Sequence, residues 1–265
     1  MTHPYAELDR PPLSARALRA ALIRPGGLWT ALDVVAQTGS TNGDLMAADA
    51  PAGTVLVAEL QVAGRGRLAR SWTSPARAGL TFSMAFRPTV EQSRWSWLSL
   101  LAGVALAEAV HDYAEVPTRL KWPNDLLLGE ERHKAAGILA QVSGNAVVIG
   151  IGLNVATRLA ELPPGATSLA AIGAARADRD PLLRAVLRGV EGWYRRWVDA
   201  AGDAEASGLR AAYRDRCDTL DRDVEITLPD GGSYRGVAYD VDEAGRLVVD
   251  GRPFAVGDVT HVRPY

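Results

Sequence analysis

Arg65, Arg67 and Arg70 lie on a glycine-hinged stretch, Gln61-Val62-Ala63-Gly64-Arg65-Gly66-Arg67-Leu68-Ala69-Arg70-Ser71-Trp72, and no Asp or Glu falls between Glu59 and Glu91 to neutralise them. Guanidinium groups present fork-shaped donors that match phosphate and carboxylate oxygens. Glycines let a backbone bend tightly and come close to a ligand. The stretch is therefore a candidate anion-binding loop. Of 29 basic residues only Lys121 and Lys134 are lysine, as if an ammonium were kept for places where arginine will not serve. Asparagine is also scarce, at Asn42, Asn124, Asn145 and Asn154. Asp125 follows Lys121-Trp122-Pro123-Asn124; it can hold Mg2+ through a phosphate complex or serve simply as a turn residue. Ser40, Thr41 and Asn42 precede a helical pattern, where hydroxyls act first as N-caps and only second as ligand contacts.

Several other chemistries are not supported. There is no Gly-x-x-x-x-Gly-Lys-Ser/Thr and no Gly-x-Ser-x-Gly, which counts against a phosphate-binding-loop NTPase and an elbow-type hydrolase. His3, His111, His133 and His261 lack metal-ligand spacing. The single cysteine, Cys217, reads as a structural thiol and fits a reducing compartment. A net charge of −2 argues against a general nucleic-acid surface. No apolar run is long enough to span a bilayer and Met1–Arg16 does not resemble a signal peptide. A cytoplasmic protein that binds neither DNA nor membrane is expected.

The elements that must position these residues follow from periodicity. Residues 1–12 read as a mobile tail, and Ser14 caps a short helix through Ile23 that Pro25-Gly26-Gly27 ends. Strands are expected at Trp29–Val35, Thr54–Leu60, Gly79–Phe86, on both sides of the Pro123-Asn124 turn, at His133–Leu139 and at Val147–Val155. Trp95–Ala114 reads as a helix with Leu98, Leu101, Ala102, Ala105 and Ala109 on one stripe. Two more helices are expected over Pro181–Val198 and Ala204–Arg216. After Cys217 only short alternating segments remain, at Val224–Leu228, Tyr234–Tyr239, Arg246–Val249 and Val259–Val262, separated by turns such as Pro229-Asp230-Gly231-Gly232. The expected division is a tail and short helix over 1–27, a main domain over 28–217 and a small antiparallel barrel over 218–265.

Taken together, Ser40-Thr41-Asn42, Gln61 with Gly64-Arg65-Gly66-Arg67 and Trp72, Lys121-Trp122-Pro123-Asn124-Asp125, Lys134-Ala135-Ala136-Gly137-Ile138-Leu139 and Gly150-Ile151-Gly152-Leu153-Asn154 resemble the ordered motif set of biotin protein ligases. The resemblance covers roughly residues 36–265. It implies an α+β fold: a mixed or antiparallel sheet flanked by helices, of class II synthetase-like type, with a C-terminal SH3-like β-barrel. It implies ATP and biotin as substrates with Mg2+, biotinyl-5′-AMP as the intermediate, and a lysine of a biotin carboxyl carrier domain as acceptor. Lys134 would sit beside carboxylate and phosphate, and Arg65 and Arg67 would close over biotin and the adenylate. Ser40, Thr41, Asn42, Gln61, Gly64, Gly66, Gly150 and Gly152 would belong to the biotin side, and Gly137 would give the biotin ring room. Trp72 would cover adenine, with Arg70, Lys121, Asn124 and Asn154 on the nucleotide side. Asp125 would help Mg2+ or orient the incoming lysine. Two departures stand out: Leu68-Ala69 replaces the Arg-Gly with which the family loop often continues, and too little chain precedes Ser40 for the winged helix of the repressor members. A monomer or weak homodimer is expected. The competing readings are a lipoyl or octanoyl ligase or transferase and a non-catalytic biotin sensor.

Overall fold

Val55, Val57, Leu80, Phe82, Met84, Val147, Ile149, Ile151 and Leu153 alternate along three strands and are all buried in one core. The structure is a computed structural model that describes residues 10–67, 70–228, 231–255 and 257–262. β1 (Ala31–Val35), β2 (Thr54–Ala58), β3 (Gly79–Phe86), β4 (Thr118–Lys121), β5 (Asp125–Leu128), β6 (His133–Ser143) and β7 (Ala146–Asn154) form one sheet in the order β1-β2-β3-β7-β6-β5-β4. β1 and β2 run parallel and every other neighbouring pair is antiparallel, so the sheet is mixed, as expected.

Helices cover both faces unequally. α1 (Ala15–Leu22), α3 (Trp97–Ala114), α4 (Arg179–Asp199) and α5 (Leu209–Arg216) lie on the core side, while α2 (Thr41–Ala47) packs on the opposite face through Leu45 against Ala85 and Val148. α3 corrects the expectation of a single apolar stripe. Leu100, Val104, Leu106 and Ala107 are as buried as the expected stripe, because the helix is enclosed by the sheet, α4 and α5. A helix apolar all round is a core helix. α5 starts later than expected. Asp203 Oδ1 accepts the Glu205 and Ala206 N–H groups at 2.8 and 2.9 Å, and Gly208 turns left-handed at φ 73°.

The short strands β8 (Arg222–Thr227), β9 (Ser233–Val241), β10 (Leu247–Val249), β11 (Arg252–Phe254) and β12 (Asp258–His261) form an antiparallel sheet in the order β11-β10-β9-β8-β12. β11 was not expected, because Pro253 speaks against a strand; it is an edge strand, where proline is tolerated. This sheet is tied to the main one. Trp97 Nε1 donates to the Glu243 carbonyl at 2.7 Å, and Trp122 Nε1 donates to the Gly245 carbonyl at 3.2 Å. Both tryptophans are fully or almost fully buried. Indoles give large apolar burial while their N–H groups find partners, which makes these two the rivets of the contact.

The expectation of a tail through residue 12 is corrected for its described part, while residues 1–9, Leu68-Ala69 and Pro229-Asp230 lie outside the described residues. Arg10 is buried and donates to Glu161 at 2.6 Å and to the Ala156 carbonyl at 2.9 Å. Beside it Arg179 and Glu59 form an ion pair at 2.5 Å with side chains only 6% and 7% exposed. Glu59 also accepts the Leu13 N–H at 2.6 Å, and Arg179 donates to the Pro11 carbonyl at 2.5 Å and the Gly79 carbonyl at 3.3 Å. Removing one partner of a buried, fully bonded pair leaves an uncompensated charge. Glu59→Gln is therefore expected to lower unfolding stability by about 3 kcal/mol, read as a reduced midpoint in urea; an unchanged midpoint would show that the pair contributes nothing.

Candidate active site

The site is built by strand register. Across the sheet Ala58 faces Thr81, Thr81 faces Gly152, Gly152 faces Gly137, Gly137 faces Asp125 and Asp125 faces Lys121. Partners in register point to the same side of a sheet. One transverse row therefore carries two glycines in its middle and a carboxylate and an ammonium at its end, on the face away from α3. The neighbouring row holds Ser83, Gly150 and Leu139. Between β5 and β6 the register shifts, so that Leu127 pairs with Lys134 and Ala135 is passed over. Lys134 Nζ comes 2.6 Å from Asp125 Oδ1. That oxygen is nonetheless buried without a hydrogen bond of good geometry, so the contact is an ion pair rather than an aligned hydrogen bond.

Glycine has a different use at each position. A Cβ on Gly152 would come 2.2 Å from Trp72 Cε2, and one on Gly137 would meet Trp72 Cζ3 at 3.5 Å and Lys134 Nζ at 3.6 Å. The two glycines thus make a seat for the Trp72 indole, where the family resemblance implied that Gly137 gives the biotin ring room. On Gly150 a Cβ would strike Asn42 Oδ1 at 2.2 Å, and on Gly64 it would strike the Trp72 carbonyl oxygen at 2.4 Å. Gly64 therefore serves the closing of its own loop and does not line the cavity.

That loop is a narrow hairpin. Trp72 N–H donates to the Gly64 carbonyl at 2.9 Å and Gly66 N–H to the Arg70 carbonyl at 2.7 Å. It lays Arg65, Gly66, Arg67, Arg70 and Trp72 along the cavity. Burial pushes the Arg67 guanidinium below its ordinary pKa, an effect opposed by the fields of Asp258 and Asp125. Arg70 pairs with Asp258 of β12, whose hydrogen bond and charge raise its pKa. Asp258 was not legible from the sequence. It lies far from the loop in the chain, in a segment that carries only an alternating strand pattern.

At the other end of the cavity is a polar circuit. Thr41 N–H donates to Gln61 Oε1 at 2.8 Å; the Thr41 and Ser83 hydroxyls are 2.6 Å apart; Ser83 donates to Asn42 Oδ1 at 2.6 Å. Asn42 Nδ2 then donates to the Leu139 carbonyl at 3.2 Å and Gln141 Oε1 at 2.9 Å. Ser40 caps α2, its Oγ accepting the Gly43 N–H at 3.3 Å, and also borders the cavity. Ser83 was missed by the sequence reading because it sits inside an apolar strand; only the period of two marks it as facing away from the core.

The remaining candidates divide. Asn124 lines the cavity while its Nδ2 donates to the Ile138 carbonyl at 2.9 Å. Asn154 is buried and donates to the Thr167 carbonyl at 3.0 Å, outside the cavity wall. Lys121 lines an adjoining cavity; burial lowers its pKa, opposed by Asp125 and Asp258 and reinforced by Lys134 and Arg70. Cys217 is buried, and that burial raises its thiol pKa, which keeps it protonated and inert as expected. Among the described residues no cluster of three His, Cys, Asp or Glu side chains is placed to hold a metal ion. No described helix is long and apolar enough to cross a membrane.

Comparison with known proteins converges on one group. Residues 34–155 match the model of the Biotin/lipoate A/B protein ligase family. The chain is 45% identical to the biotin–[acetyl-CoA-carboxylase] ligase of Mycobacterium tuberculosis, over 96% of this chain and 97% of that one. It is 33% identical to the bifunctional ligase/repressor BirA of Escherichia coli, over 78% of this chain and 66% of the relative. The fold superposes on a biotin protein ligase from Aquifex aeolicus in complex with biotin and ATP with a TM-score of 0.76 and 26% identity, covering 89% of this chain and all of the other.

His261 of β12 supplies a pH test of the wall between the two sheets. Burial, then the charges of Lys121, Arg222 and Arg132, lower its pKa from the ordinary 6.5 to about 4. Its neighbours are Thr219 Oγ1 at 3.2 Å and Asp218 at 3.7 Å. The unfolded chain takes up this proton before the folded chain does, so stability is full above the unfolded pKa and declines as pH falls towards the folded one. Between about pH 6.5 and 4 the wild type is expected to lose more stability than His261→Gln, read by urea unfolding; parallel pH profiles would refute the assignment.

Proposed function

The chain belongs to the biotin protein ligase family, and on that premise we propose that it activates biotin with ATP and transfers it to a lysine of a biotin carboxyl carrier domain. The observation that carries the reading is the transverse row ending in Asp125 and Lys121, with Lys134 beside it and the arginine loop above. In the first step a biotin carboxylate oxygen attacks the α-phosphorus of ATP, a P–O bond forms, and the bond to the β-phosphate breaks with its electron pair leaving on pyrophosphate. Two anions must be brought together for this, which requires cations already in place. Lys134 Nζ lies 2.6 Å from Asp125 and beside Gly137 on the cavity floor, and Arg65 and Arg67 line the same cavity.

In the second step the acceptor amine attacks the acyl carbon of the mixed anhydride and AMP departs. An ammonium must first lose a proton, and Asp125 is the carboxylate in the row that can orient the amine or take the proton. Mg2+ entering with ATP would fit here as well. Asp125 Oδ1 is a buried oxygen without an aligned donor, and Mg2+ is commonly held by one or two carboxylates together with substrate phosphates. It would neutralise phosphate charge.

The polar circuit of Thr41, Ser83, Asn42 and Gln61 supports a substrate with a hydrogen-bonding head, as the ureido ring of biotin has. An octanoyl or lipoyl chain would leave polar groups at that end facing carbon, at a cost in discrimination. The loop that seats Trp72 on the glycine pair would also keep water from the anhydride. A net charge of −2 gives no support to a repressor role. We further propose that the enzyme works in the cytoplasm, where carrier domains and ATP are available.

Lys134→Ala is expected to reduce biotin-dependent ATP–pyrophosphate exchange by at least a hundredfold, with an unchanged circular-dichroism melt. Exchange at the wild-type rate would take Lys134 out of the reaction, and exchange stimulated by lipoate or octanoate but not biotin would overturn the substrate. Gly152→Ala drives a methyl group into the Trp72 indole, so release of the adenylate should accelerate about tenfold or more, measured by filter retention of labelled intermediate. Retention equal to wild type would show that the indole seat has no part in holding it.

A further inference from the structure

Each proton in the polar circuit at the end of the cavity has one place to go. Leu139 offers a carbonyl, which only accepts, so the Asn42 atom 3.2 Å from it is Nδ2. The second Nδ2 proton goes to Gln141 Oε1 at 2.9 Å. Asn42 therefore turns Oδ1, which cannot donate, towards Ser83, and the single Ser83 proton is committed to it at 2.6 Å. Ser83 Oγ has only lone pairs left for Thr41 Oγ1, 2.6 Å away, so Thr41 donates across that contact. The Gln61 amide is fixed in the same way, because a backbone N–H only donates: the atom 2.8 Å from the Thr41 nitrogen is Oε1. Gln61 Nε2 is turned towards Gly64 of the arginine loop, where a Cβ would come within 2.7 Å of it.

One contact is then left without a proton. Thr41 Oγ1 and Gln61 Oε1 lie 3.0 Å apart, yet the Thr41 proton has gone to Ser83 and the Gln61 oxygen has none to give. Thr41 and Gln61 both border the cavity, whereas Ser83 is fully buried and does not line it. A buried polar atom short of a partner costs free energy. A ligand N–H placed at this edge would satisfy both oxygens at once.

We propose that Ser83 is a positioning residue that acts through Thr41: by accepting the Thr41 proton it makes the Thr41–Gln61 edge a pure acceptor, and so makes an N–H on the substrate ring a condition for tight binding. The inference rests on the biotin reading, since the ureido ring carries two such N–H groups. Without an acceptor at position 83, Thr41 turns its proton to Gln61 Oε1, and the edge is satisfied with no ligand present. Sites built to bond a polar group reject the analogue that lacks it, because their own groups are left unpaired. A serine that only packs β3 against α2 would give a different result, a loss shared by every ligand.

The test is calorimetric affinity of the intact chain for biotin and for the two cyclic carbamates in which one or the other ureido N–H is replaced by oxygen. One carbamate should bind the wild type about tenfold more weakly than biotin, or weaker still. In Ser83→Ala biotin should weaken about tenfold while that carbamate changes by less than about threefold, so that their ratio falls towards one. Ser83→Thr keeps the hydroxyl and should keep the ratio. Partial unfolding of a variant lowers both affinities together and leaves the ratio intact, so a lower melting temperature does not blur the result. Both carbamates binding the wild type as tightly as biotin, or a ratio in Ser83→Ala equal to that of the wild type, overturns the proposal and leaves biotin as the substrate. Wild-type protein that binds lipoate or octanoate but not biotin overturns the substrate reading, and the proposal with it, since neither molecule carries an N–H.

Discussion

A β-sheet floor normally bristles with side chains on alternate positions, and this site depends on the absence of them at three places. Gly137 and Gly152 face each other in register, and Gly150 lies one row over. Without Cβ atoms there, an indole can lie on the main chain itself, and Asn42 can reach across the sheet to Leu139. The charged end of the row then follows from strand pairing alone, because Asp125 and Lys121 are the next two partners of Gly137. The floor is rigid because its reverse side is the main core, where Phe82, Ile149 and Ile151 are buried. Close packing of that kind transmits displacement rather than absorbing it.

The surroundings brace this floor from both ends of the chain. Pro11 and Leu13 tie the amino-terminal segment to Arg179 and to Glu59, the latter just upstream of Gln61 and the arginine loop, and Arg10 ties it to Glu161. The C-terminal sheet enters by Trp97, Trp122 and Ser96, which all bond the 243–245 turn, and by Asp258, which meets Arg70. An exposed pair such as Arg70–Asp258 is worth at most about 1 kcal/mol, so it sets where the loop rests more than how stable the chain is.

Much of the fold was legible because its signals are local. β3 begins and ends where alternation predicted, and Ser14 and Ser40 cap α1 and α2 as hydroxyls before helical patterns do. Residues that line the cavity stood out where composition was unusual, as Lys134, Asn42, Asn124 and the unneutralised arginines did, whereas Asn154 stood out equally and lies outside the cavity wall. What could not be read was long-range. Asp258, Arg132 and Arg222 look like ordinary surface charges until two sheets are brought together. Arg10 looked like part of a tail because the carboxylate that holds it, Glu161, is far along the chain. Trp72 was recognised, yet its seat on Gly152 depends on a register that no local pattern states. The stripe on α3 was misread because a helix enclosed by sheet and helices has no outward face to keep polar.

The passed-over Ala135 has an arithmetic consequence. Lys134 and Gly137 are three positions apart, an odd separation, so in an uninterrupted strand they would point to opposite faces. Either the ammonium would be driven among Leu126, Ala136 and Ile138, or the glycine would leave the floor. The additional residue changes odd to even and returns both to one side. Ala135 contributes no polar group, and its small side chain disappears into the core beside Ala136. It works as a parity correction: one residue of chain length, chemically silent, decides whether this strand displays a cation or hides it.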